Sequence, residues 1–77
     1  MSISFGDNVR ILQSEETDKL DLAGKTGEVL GETRPSMTGV EVIGKTEEDY
    51  AINVSIDEMG SEFWFATHLL ELLDYNE

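Results

Sequence analysis

Residues 61–72 have the sequence SEFWFATHLLEL, and this stretch decides the fold. Residues 61–65 are rich in aromatic side chains, which favour a strand, and they follow a tight-turn sequence, DEMG, at residues 57–60. One helical or 3₁₀ turn is expected over residues 66–70, followed by a short strand over residues 70–74. The alternative is a C-terminal helix capped by Thr67, because the stretch is rich in helix formers. An isolated helix of this length is marginal, which favours the turn and strand.

Three further strands are predicted upstream by residue alternation. In residues 50–56 (YAINVSI) every second residue has a largely apolar side chain, so these side chains share one face of a strand. Val9 and Ile11 do the same in residues 7–12 (DNVRIL). Residues 25–32 (KTGEVLGE) form another strand, entered through glycines that permit a turn or a bulge. The polar residues 13–24 between the first two strands predict a long loop, with Leu20 and Leu22 packed onto the core.

A hairpin insertion is predicted over residues 33–49. Pro35 and Gly39 interrupt strand pairing, so residues 33–39 are expected to form a turn-rich break. Residues 40–44 (VEVIG) alternate as a short strand, and the charged residues 45–49 resemble a hairpin connection to residues 50–56.

Short strands, glycine-rich turns and no long helix predict an all-β fold, a small closed or partly closed barrel. The chain has 77 residues, which is enough for one domain, so residues 1–77 are predicted to form a single unit. Three segments carry a resemblance to SH3-like and KOW-like small barrels: residues 6–11 (GDNVRI), 24–29 (GKTGEV) and 63–72 (FWFATHLLEL).

The resemblance implies a five-stranded SH3-like barrel with a long first loop. Residues 6–11 and 24–29 match the first two strands of such barrels, and residues 63–72 match the fourth strand, the 3₁₀ turn and the fifth strand. Proline-binding SH3 domains have an Ala-Leu-Tyr-Asp-Tyr opening and a Trp pair, which this chain lacks, and KOW domains are usually basic. The resemblance therefore implies a scaffold and not an activity.

The composition excludes several classes of protein. A formal net charge of −12 argues against a nucleic-acid-binding protein, because contacts with the phosphates need a basic surface. Cysteine is absent, which removes thiol chemistry and fits a reducing compartment. No stretch has the length and apolar character of a signal peptide or a membrane span, so the chain is expected to be cytoplasmic, without a membrane partner.

Enzyme chemistry is not expected. A nucleophile needs an adjacent base, and the single His68 lies in an apolar run, where it is expected to be partly buried at the barrel turn. The glycines of residues 24–31 lack phosphate-loop and dinucleotide spacing.

The distribution of charge indicates a basic protein partner. Residues 1–45 carry 8 acids and 5 bases, whereas residues 46–77 carry 9 acids and no Lys or Arg. If Phe63 and Phe65 point inward, Glu62 and Trp64 point outward together, and a Trp beside carboxylates suits an Arg- or Lys-rich surface. In the reversed register Trp64 lies in the core. The predicted partner-binding residues are Trp64, Glu62, Asp57, Glu58, Glu47, Glu48 and Asp49.

Three functions fit this surface. The first is an inhibitor or immunity protein, monomeric when free, that covers the basic surface of a toxin or nuclease. The second is weak calcium binding by loop carboxylates, a possibility raised by the similarity to a small acidic calcium-binding family of cyanobacteria with an SH3-like fold. Its candidate ligands are Glu47, Glu48, Asp49, Asp57 and Glu58. The third is an accessory subunit of a larger enzyme or photosynthetic complex.

Overall fold

Six short strands form one curled sheet, a half-barrel, in the computed structural model, which describes residues 3–46 and 48–73. The spatial order is β3-β5-β4-β2-β1-β6, and every neighbouring pair is antiparallel except β3 and β5. The all-β, barrel-like architecture predicted from the sequence is confirmed. The strands are β1 (Asn8–Ile11), β2 (Thr26–Thr33), β3 (Val42–Ile43), β4 (Ala51–Ile56), β5 (Ser61–Ala66) and β6 (Leu70–Leu72).

The core lies on the concave side of the sheet. Successive side chains of a strand point to opposite faces, so each strand contributes every second residue to this side. Phe65 is the largest side chain that is fully buried there, and Phe63 packs against the same cluster while partly exposed. The buried members of the cluster are Val9, Ile11, Leu22, Val29, Ile52, Val54, Ile56, Phe65 and Leu70.

Strand β2 approaches β4 unusually closely at Gly27. A Cβ atom at this position would overlap the Ser55 carbonyl oxygen and lie 2.7 Å from Val54 Cγ1. Two residues later the register shifts between Val29 and Gly31, which leaves Leu30 without a partner on β4. A bulge of this kind bends a strand and increases its twist, which suits a sheet that must curl.

Two short α-helices and one 3₁₀ turn complete the described chain. Helix α1 (Glu15–Lys19) lies in the segment that was predicted to be a loop, and it begins at Ser14, whose Oγ accepts a hydrogen bond from the Thr17 backbone N–H. Helix α2 (Pro35–Thr38) begins at proline, and the 3₁₀ turn covers Thr67–Leu69. None of these described helices is long and apolar enough to cross a membrane.

The insertion at residues 33–49 differs from its prediction. Within the described residues it contains α2 and β3, and β3 pairs in parallel with β5 instead of forming a hairpin with β4. The sheet consequently has six strands where five were expected. Gly44, which follows β3, has a left-handed backbone (φ 96°) and lies against Leu69 and against Ala66 at the end of β5, which places β3 beside β5.

The C-terminal alternatives are resolved in favour of the turn and strand. Residues 67–69 form the 3₁₀ turn, and β6 then pairs antiparallel with β1, so the favoured prediction is confirmed and the alternative C-terminal helix is wrong. Pairing with β1 provides backbone partners that a two-turn helix at the chain end would lack. Residue 74, where the strand was expected to end, lies outside the described residues.

Replacing Gly27 with alanine is expected to destabilise the fold by about 2 kcal/mol, because the added methyl group meets the β4 backbone, which cannot move independently of the sheet. Gly31→Ala is the matched control in the same strand, since nothing lies within 4 Å of its added methyl group. Urea unfolding followed by circular dichroism measures both variants. Equal midpoints for the two would contradict the close approach.

Candidate functional site

The convex face of the sheet carries the tryptophan. Trp64 lies between Phe63 and Phe65 on β5, and both phenylalanines face the core. Its side chain therefore lies on the opposite face of the sheet from Phe65. The register places Trp64 between Val42 of β3 and Asn53 of β4. Trp64 is half-buried, and β5 lies next to β3, the strand at one edge of the sheet. The outward register is therefore the one that the chain adopts.

Glu62 lies on the same face, one side-chain repeat from Trp64. The Asn53 side-chain amide donates a 2.7 Å hydrogen bond from Nδ2 to Glu62 Oε1. Glu62 is opposite Ser55 of β4, and Ser55 is opposite Glu28 of β2, so two carboxylates share one row across the face. Asn53 Oδ1 is buried and has no hydrogen-bond partner among the described residues.

The predicted acidic residues fall into two separate groups. Glu48 and Asp49 precede β4, whereas Asp57 and Glu58 follow it, and a six-residue strand spans about 20 Å. Glu62 lies beside the second group, because the turn at residues 57–60 connects β4 to β5. The structure therefore brings Glu62, Asp57 and Glu58 to one end of β4 and leaves Glu48 and Asp49 at the other. Glu47 lies outside the described residues.

Besides Glu62, which accepts the Asn53 hydrogen bond, two of these acidic side chains make internal contacts. Asp49 accepts hydrogen bonds from the Ser36 backbone N–H (2.9 Å) and from Ser36 Oγ (2.6 Å), which attaches α2 to the residues before β4. The Ser36 hydroxyl, then its backbone N–H, hold the pKa of the Asp49 carboxyl below its ordinary value of 3.8. Glu58 forms a 3.1 Å ion pair with Lys25. These contacts give both residues a structural role in the free protein.

Calcium binding remains a prediction. Among residues 3–46 and 48–73, no three His, Asp or Glu side chains come together in a way that could hold a metal ion. The two acidic groups at the ends of β4 cannot contribute to one site, because a bound Ca²⁺ needs its oxygen ligands within about 2.6 Å.

His68 lies in the 3₁₀ turn and is exposed, so its predicted partial burial is wrong. It lines a shallow depression with Glu48, Tyr50 and Thr67. The Tyr50 hydroxyl donates a hydrogen bond to Glu32 Oε1. The absence of catalysis also stays a prediction.

An apolar groove beside Trp64 was not anticipated from the sequence. It runs between the residue that ends α1, Leu20, and the edge of the sheet formed by β3 and β5. Leu20 was expected to pack onto the core with Leu22, but only Leu22 is buried, and Leu20 is 49% exposed. No local pattern signals this groove, because it depends on the pairing of β3 with β5. Its lining, called the edge groove below, consists of Leu20, Val40, Glu41, Val42, Ile43, Glu62, Phe63 and Trp64.

Comparison with known proteins gives one structural likeness. No protein-family description matches the sequence. No curated protein matches it either. The fold is similar to the solution structure of the cyanobacterial cytochrome b6f complex subunit PetP, with a TM-score of 0.66 and 17% sequence identity. The likeness covers 94% of this chain and 81% of that chain, and at this identity it concerns the fold alone.

Replacing Ser36 with alanine is expected to raise the pKa of Asp49 toward its ordinary value, because the variant loses the Oγ donor that lowers it most. The depressed pKa means that the Asp49 contacts stabilise the fold above the pKa of the unfolded chain, and that this contribution is lost as the pH falls through the folded value. Carboxyl-carbon NMR titration measures the pKa of Asp49 in the unmodified chain and in the Ser36→Ala variant. Ser61→Ala, in β5, is the control. An unchanged Asp49 titration in Ser36→Ala would contradict the proposed contact.

Proposed function

We propose that this chain is a non-catalytic protein-binding subunit of a larger assembly and that it docks through the convex face around Trp64. The observation that carries the proposal is the position of this tryptophan, half-buried on the convex face next to the edge strand β3, with Glu62 on the same face of β5. Tryptophan is among the residue types most enriched at the energetic centres of protein interfaces. A partly exposed tryptophan can bury more of its ring only by contact with another molecule.

The structural likeness supports this type of role. The similar fold belongs to a subunit of the cytochrome b6f complex, so the same curled sheet occurs in a component of a multi-subunit assembly. Because folds host many functions, the likeness bears on the kind of role and not on the identity of the partner. The inhibitor or immunity role, predicted from charge, draws no support from this likeness. The accessory-subunit hypothesis is therefore preferred.

The charge of the chain favours a basic partner. The net charge is −12, and the convex face carries Glu62 and Glu28 in one row. Arg10 and Lys25 are held in ion pairs by carboxylates of this same chain, at 3.2 and 3.1 Å. Complementary charge steers association and selects against wrong partners. The same negative charge opposes self-association, which agrees with a monomeric free state in the cytoplasm.

The proposal predicts a stoichiometric complex in the native host. A tagged chain expressed there at its natural level is expected to elute from a sizing column with larger proteins, at a fixed ratio, in both low and high salt. Apolar burial around Trp64 persists in salt, although screening slows association. Elution only as a free 8.6 kDa chain would contradict the subunit role. A partner that is lost at high salt would favour the electrostatic inhibitor instead.

Replacing Trp64 with alanine is expected to weaken the complex by about 2 kcal/mol, or roughly 30-fold in Kd, because the variant loses the central aromatic contact. Phe5→Ala is the matched control, since Phe5 is 76% exposed and lies outside the lining of the edge groove. Biolayer interferometry on the purified complex partner gives both affinities, and circular dichroism verifies folding. Equal affinities for the two variants would exclude the Trp64 face as the docking surface.

A further inference from the structure

The edge groove is bounded by parts of the chain that are far apart in sequence. Its lining includes Leu20, which directly follows α1, together with Val42 and Ile43 of β3. Trp64 and Phe63 of β5 also line it. The lining therefore includes both faces of this sheet edge: Val42 and Trp64 belong to the convex face, whereas Ile43 and Phe63 pack against the core on the concave side.

The groove combines an apolar lining with negative charge only. Six of its eight lining residues are apolar, and the other two are Glu41 and Glu62. A single exposed leucine is ordinary on a protein surface, but Leu20 is half-exposed beside five other apolar residues. The complementary ligand therefore has an apolar side chain and a positive charge close together.

Glu62 is held in position before any ligand arrives. Its Oε1 accepts the 2.7 Å hydrogen bond from Asn53 Nδ2, so the carboxylate is directed along the convex face. Oε1 retains a second lone pair and Oε2 has two, so the carboxylate can still accept hydrogen bonds from a guanidinium or ammonium group. A side chain that is already ordered costs less conformational entropy when it binds.

The edge itself does not suit strand addition by a partner. β3 has only two residues, and the glycines on either side, Gly39 and Gly44, have left-handed backbones (φ 74° and 96°). A strand added by a partner needs a longer row of free backbone groups. Recognition at this edge therefore depends on side chains.

A second copy of the chain is also a poor occupant. Each copy carries a net charge of −12, and the groove would place its own Glu41 and Glu62 near the acidic surface of the other copy. Bringing like charges together at an interface is unfavourable and selects against that pairing. Charge complementarity points instead to a cationic partner.

We propose that the edge groove binds a basic, amphipathic segment of the partner protein. One large apolar side chain of that segment lies between Leu20 and Trp64, and an adjacent arginine or lysine contacts Glu62 and Glu41. An arginine in this position also meets the face of the Trp64 ring. The inference rests on the proposed subunit function and specifies the chemistry that the docking face recognises.

Synthetic peptides test this chemistry directly. The probe is a capped peptide in which one leucine is flanked by two arginines in a Gly-Ser background, and the matched peptides replace either the leucine with serine or both arginines with glutamate. Because the chain has one tryptophan, its fluorescence reports on the groove itself. Backbone amide NMR shifts locate the binding. The parent peptide is expected to produce a saturable change centred on the groove, and each matched peptide to bind about tenfold more weakly.

Substitutions in the protein provide the second arm. Leu20→Ser and Glu62→Gln are each expected to weaken the binding of the parent peptide about five- to tenfold. Phe5→Ser and Glu16→Gln are the matched controls, because both positions are exposed and lie outside the groove lining. Equal binding of all three peptides, or NMR shifts centred away from the groove, would overturn the proposal. So would equal effects of the groove and control substitutions.

Failure of this inference can be distinguished from failure of the subunit function. If the unmodified chain elutes with a partner in its host and Leu20→Ser does so equally well, the subunit role stands and the groove is not its recognition site. If the chain elutes alone but binds the parent peptide selectively, the groove chemistry stands and the subunit role fails.

Discussion

The close approach of β2 to β4 at Gly27 is the constraint on which the half-barrel depends. These two strands are central in the sheet, and only a residue without a Cβ allows their backbones to come this near. The bulge at Leu30 then bends β2. Together they curl the sheet around Phe65 and its neighbours, which gives a small chain a concave core. The convex face is left open as a consequence.

The convex face owes its functional character to a strand pairing that is distant in sequence. β3 pairs in parallel with β5, although β4 lies between these two strands in the sequence. Asp49, which precedes β4, holds Ser36 of α2. An acidic side chain that the sequence suggests as a metal ligand can therefore be used instead in an internal hydrogen bond that stabilises the fold. The surface available to a partner is what remains after such contacts are made.

Local patterns predicted most of the strands and missed the insertion. Residues 50–56 and 61–65 alternate clearly, and the structure has strands β4 and β5 there. Helix α1 was missed because its capping pair is Ser14 and Thr17, where a Glu or Gln at the second position is the usual signal. The pairing of β3 with β5 is set by packing across the sheet, and no periodicity within residues 33–49 encodes it.

The same distinction explains which parts of the site were predictable. The outward position of Glu62 beside Trp64 follows from alternation along one strand, so the sequence could suggest it. The separation of the acidic groups follows from their places at opposite ends of β4, and proximity in the sequence concealed it. Leu20 belongs to the site only because α1 ends opposite β3.

A net charge of −12 destabilises a small fold through self-repulsion, and few carboxylates of the described chain are neutralised internally. The cationic partner proposed above would lower that cost, so the charge would make association more favourable than apolar contact alone. In the proposed complex, the aromatic and aliphatic residues of the edge groove provide affinity that salt does not remove, whereas Glu41 and Glu62 select the sign of the partner. An acidic surface without the groove would attract any cation, and a groove without the carboxylates would accept any apolar side chain. The proposed specificity for segments that carry both features follows from their combination on one edge.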